Sequence, residues 1–236
     1  MAQRPSNLRG VIFDMDGCLV DSEPLCLNAI AEEFQSLGIR DVTAADIGER
    51  FLGVAISKIE DFAASRLGHP VPAGFATRIE DQLVDIYQRE LQHIPGAETL
   101  LDRLAQSGFG LGLATGASLR RMQATLEISG LGPRFGARAV SVDNVARGKP
   151  APDIFLEAAL RLDLPPTACI VVEDSPHGVK GALKAGMAAI GFVGGSHLKT
   201  RKAAHAQVLQ EAGAAEIFED LGALCDFILS AQEAKA

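Results

Sequence analysis

The chain has 236 residues, 47% of them hydrophobic, with a formal charge of −8 and a pI near 5.1. An acidic chain of this kind does not gather phosphate backbones, so nucleic acid is not an expected partner, while the apolar fraction is ample for a packed globular core. No apolar run approaches the roughly 20 residues a membrane helix needs, the first nine residues lack the apolar stretch of a secretory signal, and Cys18, Cys26, Cys169 and Cys225 form no C-x-x-C pair; a reducing, cytoplasmic setting without membrane contact is expected.

In chain order, residues 8–13 form a short β-rich run that stops at Asp14. Runs of the same kind lie at 109–114, 137–142, 168–172 and 188–193, each apolar and bounded by glycine or polar residues. Such runs suit strands buried on both faces of a parallel sheet. Helical patterns separate them at 97–106, 119–129, 152–161 and 178–185, with Gly108 and Gly186 placed to end two of these helices. Alternating strand and helix predicts an open, doubly wound α/β sheet of the Rossmann-like type.

Residues 21–94 break the rhythm. They carry no convincing buried strand, and 25–37, 56–67 and 75–91 read as amphipathic helices. An interval of that size is too long for a loop. The expected organisation is an α/β core of residues 1–20 and 95–236 with an inserted all-helical cap of residues 21–94. The last stretch, from residue 207, reads as helix, a short strand at 216–218 and a closing helix that frays from 231. There is no internal repeat, and nothing points to an oligomeric state.

In open α/β folds ligands bind beyond the carboxyl ends of the strands. Four polar signals fall there: Asp14-Met15-Asp16-Gly17, Thr115-Gly116-Ala117-Ser118, Gly148-Lys149-Pro150 and Glu173-Asp174-Ser175. Taken singly each has an ordinary explanation. An Asp, Ser or Thr after a strand caps the next helix, and a lone lysine is a solvated one. The combination is different. Asp14, Asp16, Glu173 and Asp174 at one rim would repel one another, and a hard cation such as Mg²⁺ relieves that repulsion. A lysine, a hydroxyl and a helix N-terminus beside it supply donors for an anion, which together describes phosphoryl-transfer chemistry.

The run from Phe13 through Asp14-Met15-Asp16-Gly17 to Asp21-Ser22-Glu23, followed by Thr115, Lys149 and Glu173-Asp174, resembles the haloacid dehalogenase-like hydrolase superfamily. Within it the chain is most similar to the β-phosphoglucomutase and sugar-phosphatase group, over about residues 8–192. The resemblance implies that Asp14 is the nucleophile and Asp16 the general acid and base. It implies that Thr115, Gly116 and Lys149 hold the phosphoryl group. It also implies that Mg²⁺ is bound by the Asp14 side chain, the Asp16 carbonyl and Asp174, with Glu173 nearby. Dehalogenases of the superfamily lack the second aspartate, so Asp16 sets that reaction aside. Sugar phosphomutases resembling this group carry a histidine where Cys26 stands and an arginine in the cap turn where Ile56 stands. The expectation is therefore a Mg²⁺-dependent phosphatase acting on a small phosphorylated metabolite, a sugar or sugar-acid phosphate such as phosphogluconate. A phosphomutase is the alternative, and a non-catalytic binding protein is disfavoured because no charged motif is lost. His177 and His197 lie near the same loops and read as surface histidines.

Overall fold

The computed structural model describes residues 8–51 and 56–233. Its centre is a parallel sheet of β1 (Gly10–Phe13), β2 (Gly110–Thr115), β3 (Ala139–Ser141), β4 (Cys169–Glu173), β5 (Ala188–Phe192) and β6 (Glu216–Phe218). The strand order is β3-β2-β1-β4-β5-β6. This is the doubly wound arrangement in which the chain order reverses beside β1, and the reversal opens a crevice at the strand ends.

The strand sequences explain the layering. Alternate side chains point to opposite faces, and both faces are apolar. Val11, Phe13, Leu113, Val172 and Phe192 join one buried layer with α5 (Ala97–Gln106), α6 (Leu119–Ile128) and α11 (Leu221–Glu233). Ile12, Ala114, Val171 and Ala189 join the other with α8 (Asp153–Arg161), α9 (Pro176–Lys184) and α10 (Lys202–Ala212). A short helix, α7 (Gly132–Phe135), precedes β3.

Between β1 and β2 lie α1 (Glu23–Ser36), α2 (Ala44–Phe51), α3 (Ile56–Leu67) and α4 (Phe75–Glu90), with no strand among the described residues. They enclose a third apolar cluster of their own, in which Phe34, Ile47, Phe75, Leu83 and Tyr87 are almost wholly buried. The two connections to this helical cap are tied to each other. Asp21 N donates to Gln92 O at 2.8 Å and Ile94 N to Leu19 O at 2.9 Å. This pairing makes the entry and exit of the cap one structural joint.

Two local expectations are corrected. Helix α2 was not anticipated, although Thr43-Ala44-Ala45-Asp46 is a capping sequence: Thr43 N donates to Asp46 Oδ2 at 2.8 Å and Asp46 N to Thr43 Oγ1 at 3.2 Å. Helix α10 begins at Lys202, five residues before the expected start, because Lys202-Ala203-Ala204 are good helix formers that continue the turn from Arg201. Residues 1–7, the cap-turn residues 52–55 and residues 234–236 lie outside the described residues.

Candidate active site

The predicted residues converge at the carboxyl ends of three neighbouring strands. Asp14 follows β1, and its amide donates to Val172 O of the adjacent β4 at 2.9 Å. The chain then turns through Gly17 at φ 76°, a left-handed conformation that glycine adopts without cost. A Cβ at Gly17 would also collide with the Asp174 carboxylate. Glycine therefore lets the Asp14–Asp16 turn lie against the end of β4. Gly178 serves the same end in α9, since a Cβ there would occupy the space of the Glu173 carboxylate. Gly178→Ala should accordingly displace Glu173 and lower activity far more than an alanine usually costs a helix; wild-type turnover in a folded Gly178→Ala protein would refute this packing role.

Lys149 is not the solvated lysine its isolated sequence suggests. Its side chain is 2% exposed, with Nζ 2.5 Å from both Asp14 Oδ1 and Glu173 Oε1. Glu173 Oε2 also accepts from Ser175 N at 3.1 Å. Asp16 Oδ1 accepts from the buried Ser22 hydroxyl at 2.5 Å. Its Oδ2 lies 3.4 Å from Thr115 Oγ1 and 3.4 Å from Arg121 Nη2. Thr115 Oγ1 in turn accepts from Ala117 N at 3.1 Å. The Gly116 N–H makes no hydrogen bond among the described residues, and Gly116 lines the cavity above Asp14 and Asp16. Ser118 has only its ordinary role, capping α6 by accepting from Arg121 N at 3.1 Å.

The electrostatics follow from burying so many acids together. Burial is the main force raising the Asp14 carboxyl, against the pull of Lys149. Burial likewise pushes Glu173 up to about 8, and Asp174 well above its ordinary range with Asp14 adding to the effect. Lys149 is held above its ordinary value because Asp14 and Glu173 outweigh the cost of its burial. A carboxyl whose folded pKa is raised stabilises the fold below its unfolded pKa and loses that contribution as pH rises through the folded value. For Glu173 the window runs from 4.5 to about 8. The metal-free protein should therefore melt at progressively lower temperature across that window. Added Mg²⁺ should raise the melting temperature more at the alkaline end than at the acid end. Melting curves in EDTA that are flat with pH would contradict the arrangement.

The donor set fits a divalent cation. Oxygens of Asp14 and Asp174 and the sulfur of Cys18 lie within 4.8 Å of one another, all buried. Asp174 Oδ2 makes no well-aligned hydrogen bond even though His197 Nε2 lies 3.1 Å away, so the oxygen is left open to a cation. Carboxylate oxygens suit a hard divalent cation, and Asp14 and Asp174 offer two of them side by side. Glu173, beside Asp174 in the chain, pairs with Lys149.

Several residues here were not anticipated. His197 is not at the surface: its side chain is 1% exposed, with Nε2 3.1 Å from Asp174 Oδ2, because Gly17 and Gly195 leave room for the ring. His177 is half-buried. Arg121 and Ser22 both brace Asp16. Arg121 had a legible signal, since two arginines in the first turn of a helix oppose the macrodipole and call for a specific partner. Cys18 and Ser22 had none beyond their proximity to the aspartates.

Residues 8–186 match the family model of the haloacid dehalogenase-like hydrolases. Hexitol phosphatase A of Escherichia coli is 35% identical over 182 residues, which cover 75% of this chain and 80% of that protein. The chloroplastic protein SUPPRESSOR OF QUENCHING 1 of Arabidopsis thaliana is 32% identical over 223 residues, covering 90% of this chain but only 20% of that much longer protein. A solved haloacid dehalogenase-like protein of unknown function from Agrobacterium tumefaciens superposes with a TM-score of 0.77 at 32% identity, covering 94% of this chain and 98% of that one. A six-stranded sheet carrying a helical cap, four charged motifs gathered at its rim and a family match over most of the length place the chain in one group: it belongs to the haloacid dehalogenase-like hydrolases.

Proposed function

We propose that this hydrolase is a Mg²⁺-dependent phosphatase that cleaves a small sugar-type phosphate monoester through an aspartyl-phosphate on Asp14. The observation that carries the reading is the juxtaposition of Asp14 with Lys149 at 2.5 Å, beside a second aspartate held by its own partners. Its name-bearing relative among hexitol phosphatases supports the substrate class.

Asp14 is ionised when paired with Lys149 and needs no base to attack phosphorus. As the Asp14–phosphorus bond forms, the bond to the leaving oxygen breaks, and Asp16 delivers a proton to that oxygen. Asp16 then takes a proton from water as the water attacks the same phosphorus, releasing inorganic phosphate and restoring the Asp14 carboxylate. Ser22, Thr115 and Arg121 hold Asp16 in position for both transfers. Lys149 and the Gly116 N–H face the charge that builds on the phosphoryl oxygens. Bound Mg²⁺ supplies further neutralisation of that charge and orients the group for in-line displacement.

Activity is expected to vanish in EDTA and return with Mg²⁺, with Ca²⁺ inhibiting because its longer, looser coordination misplaces the attack. Phosphate release from p-nitrophenyl phosphate measures this directly; turnover in a thoroughly chelated sample would exclude the proposal. We assign residues 1–20 and 95–236 to the catalytic core and 21–94 to the cap, acting in a cytoplasmic enzyme, with the paired connections at Leu19–Asp21 and Gln92–Ile94 as the hinge. Closure of the cap over the strand ends excludes bulk water during the first step.

A further inference from the structure

The cavity above Asp14 and Asp16 has two unlike walls. The core wall is the catalytic set with Gly116, Arg121 and Lys149. The cap wall is aliphatic and aromatic: Leu27, Ile30, Ile47, Phe51, Ile56 and Ile59. No lysine or arginine of the cap lines this cavity among the described residues. The nearby basic side chains are engaged elsewhere. Lys58 is 69% exposed and 3.5 Å from Asp61, Arg50 lies over the Phe62 ring, and Arg78 pairs with Glu33 at 2.6 Å. The sequence of the intervening turn, Leu52-Gly53-Val54-Ala55, adds no charge.

One polar group interrupts the cap wall. Glu23, in the first turn of α1, lines the cavity and forms no hydrogen bond or ion pair among the described residues. Its only cationic neighbour within the cavity wall besides Lys149 is Arg121, whose guanidinium already lies 3.4 Å from Asp16 and donates to Cys26 Sγ at 3.8 Å. Asp14, Asp16 and Glu173 thus lie against Lys149 and Arg121, and Asp174 against His197, while no cation of the cap joins them among the described residues.

We infer that the leaving group taken by this site is uncharged and hydroxyl-bearing, with one apolar face against the cap, and that carboxylated or doubly phosphorylated analogues are selected against. The inference rests on the phosphatase reading and narrows its substrate. A second anion placed here would be buried against the aliphatic cap wall with no cap cation to pair with it, which is strongly unfavourable. A hydroxyl has the opposite fate, since it can both donate to and accept from the Glu23 carboxyl while the carbon chain covers the isoleucines. On this inference the sugar acids of the expected substrate range, and the bisphosphates of a mutase, are the poorer ligands.

A matched pair of six-carbon esters tests this: a hexitol 6-phosphate and 6-phosphogluconate, which differ at the far end by a hydroxymethyl against a carboxylate. The kcat/KM for the hexitol ester should exceed that for the acid by about tenfold or more, the scale of one uncompensated charge. Calorimetric binding of both esters to the Asp14→Asn protein in Mg²⁺ should show the same order, a readout that does not depend on turnover. Ile56→Lys, which puts a cation into the apolar wall, should shrink the ratio by about tenfold while p-nitrophenyl phosphate is still cleaved. Equal or better use or binding of 6-phosphogluconate by the wild-type chain would overturn the inference. Loss of phosphate release from every ester, p-nitrophenyl phosphate included, would instead remove the phosphatase reading, and the binding order would still decide the selectivity.

Discussion

Asp14→Asn is expected to abolish turnover, by roughly 10⁴-fold or more, with the fold intact. The amide fills the same volume but has no anionic oxygen to attack phosphorus. Structural collapse is not expected, because Lys149 keeps its second partner, Glu173, at 2.5 Å. The substitution even removes one of the crowded carboxyls that burial holds above its ordinary range. The melting temperature of the metal-free protein should therefore stay level or rise. Phosphate release, with deamidation back to aspartate excluded by mass spectrometry, is the deciding measurement. Wild-type kcat in that sample would end the covalent mechanism.

Asp16→Asn carries the second-largest expected effect, a loss of about 10²–10⁴-fold, the range typical of acid–base catalysis. The loss should depend on the leaving group. An alkyl alcohol departs poorly without a proton, whereas p-nitrophenolate departs readily as an anion. The deficit should thus be much smaller for p-nitrophenyl phosphate than for a polyol phosphate. Equal deficits would mean that Asp16 does not protonate the leaving oxygen. Ser22→Ala offers a graded check, because Ser22 donates to Asp16 Oδ1 at 2.5 Å without facing the phosphoryl group. It should lower kcat modestly and leave KM nearly unchanged, as expected of a residue that positions the acid rather than the substrate.

The sequence by itself determined the sheet and the rim. Short apolar runs with helices between them admit few packings, so the parallel strands and most of the core helices were legible within a residue or two, including Ala97–Gln106 and Glu216–Phe218. The acidic motifs were legible for a related reason, since topology alone delivers strand ends to one edge. Tertiary structure alone decided how these charges are compensated. Lys149 became a buried ion-pair partner only once β1 and β4 stood side by side, and His197 was drawn inward by space left at Gly17 and Gly195, which no local pattern records. The bracing of Asp16 by Arg121 joins residues 105 positions apart, and the cap wall is assembled from three helices whose apolar faces look like ordinary core in sequence. Local propensity encodes which element forms; burial, close approach and charge pairing between distant segments belong to the folded chain, and they decide what each polar side chain does.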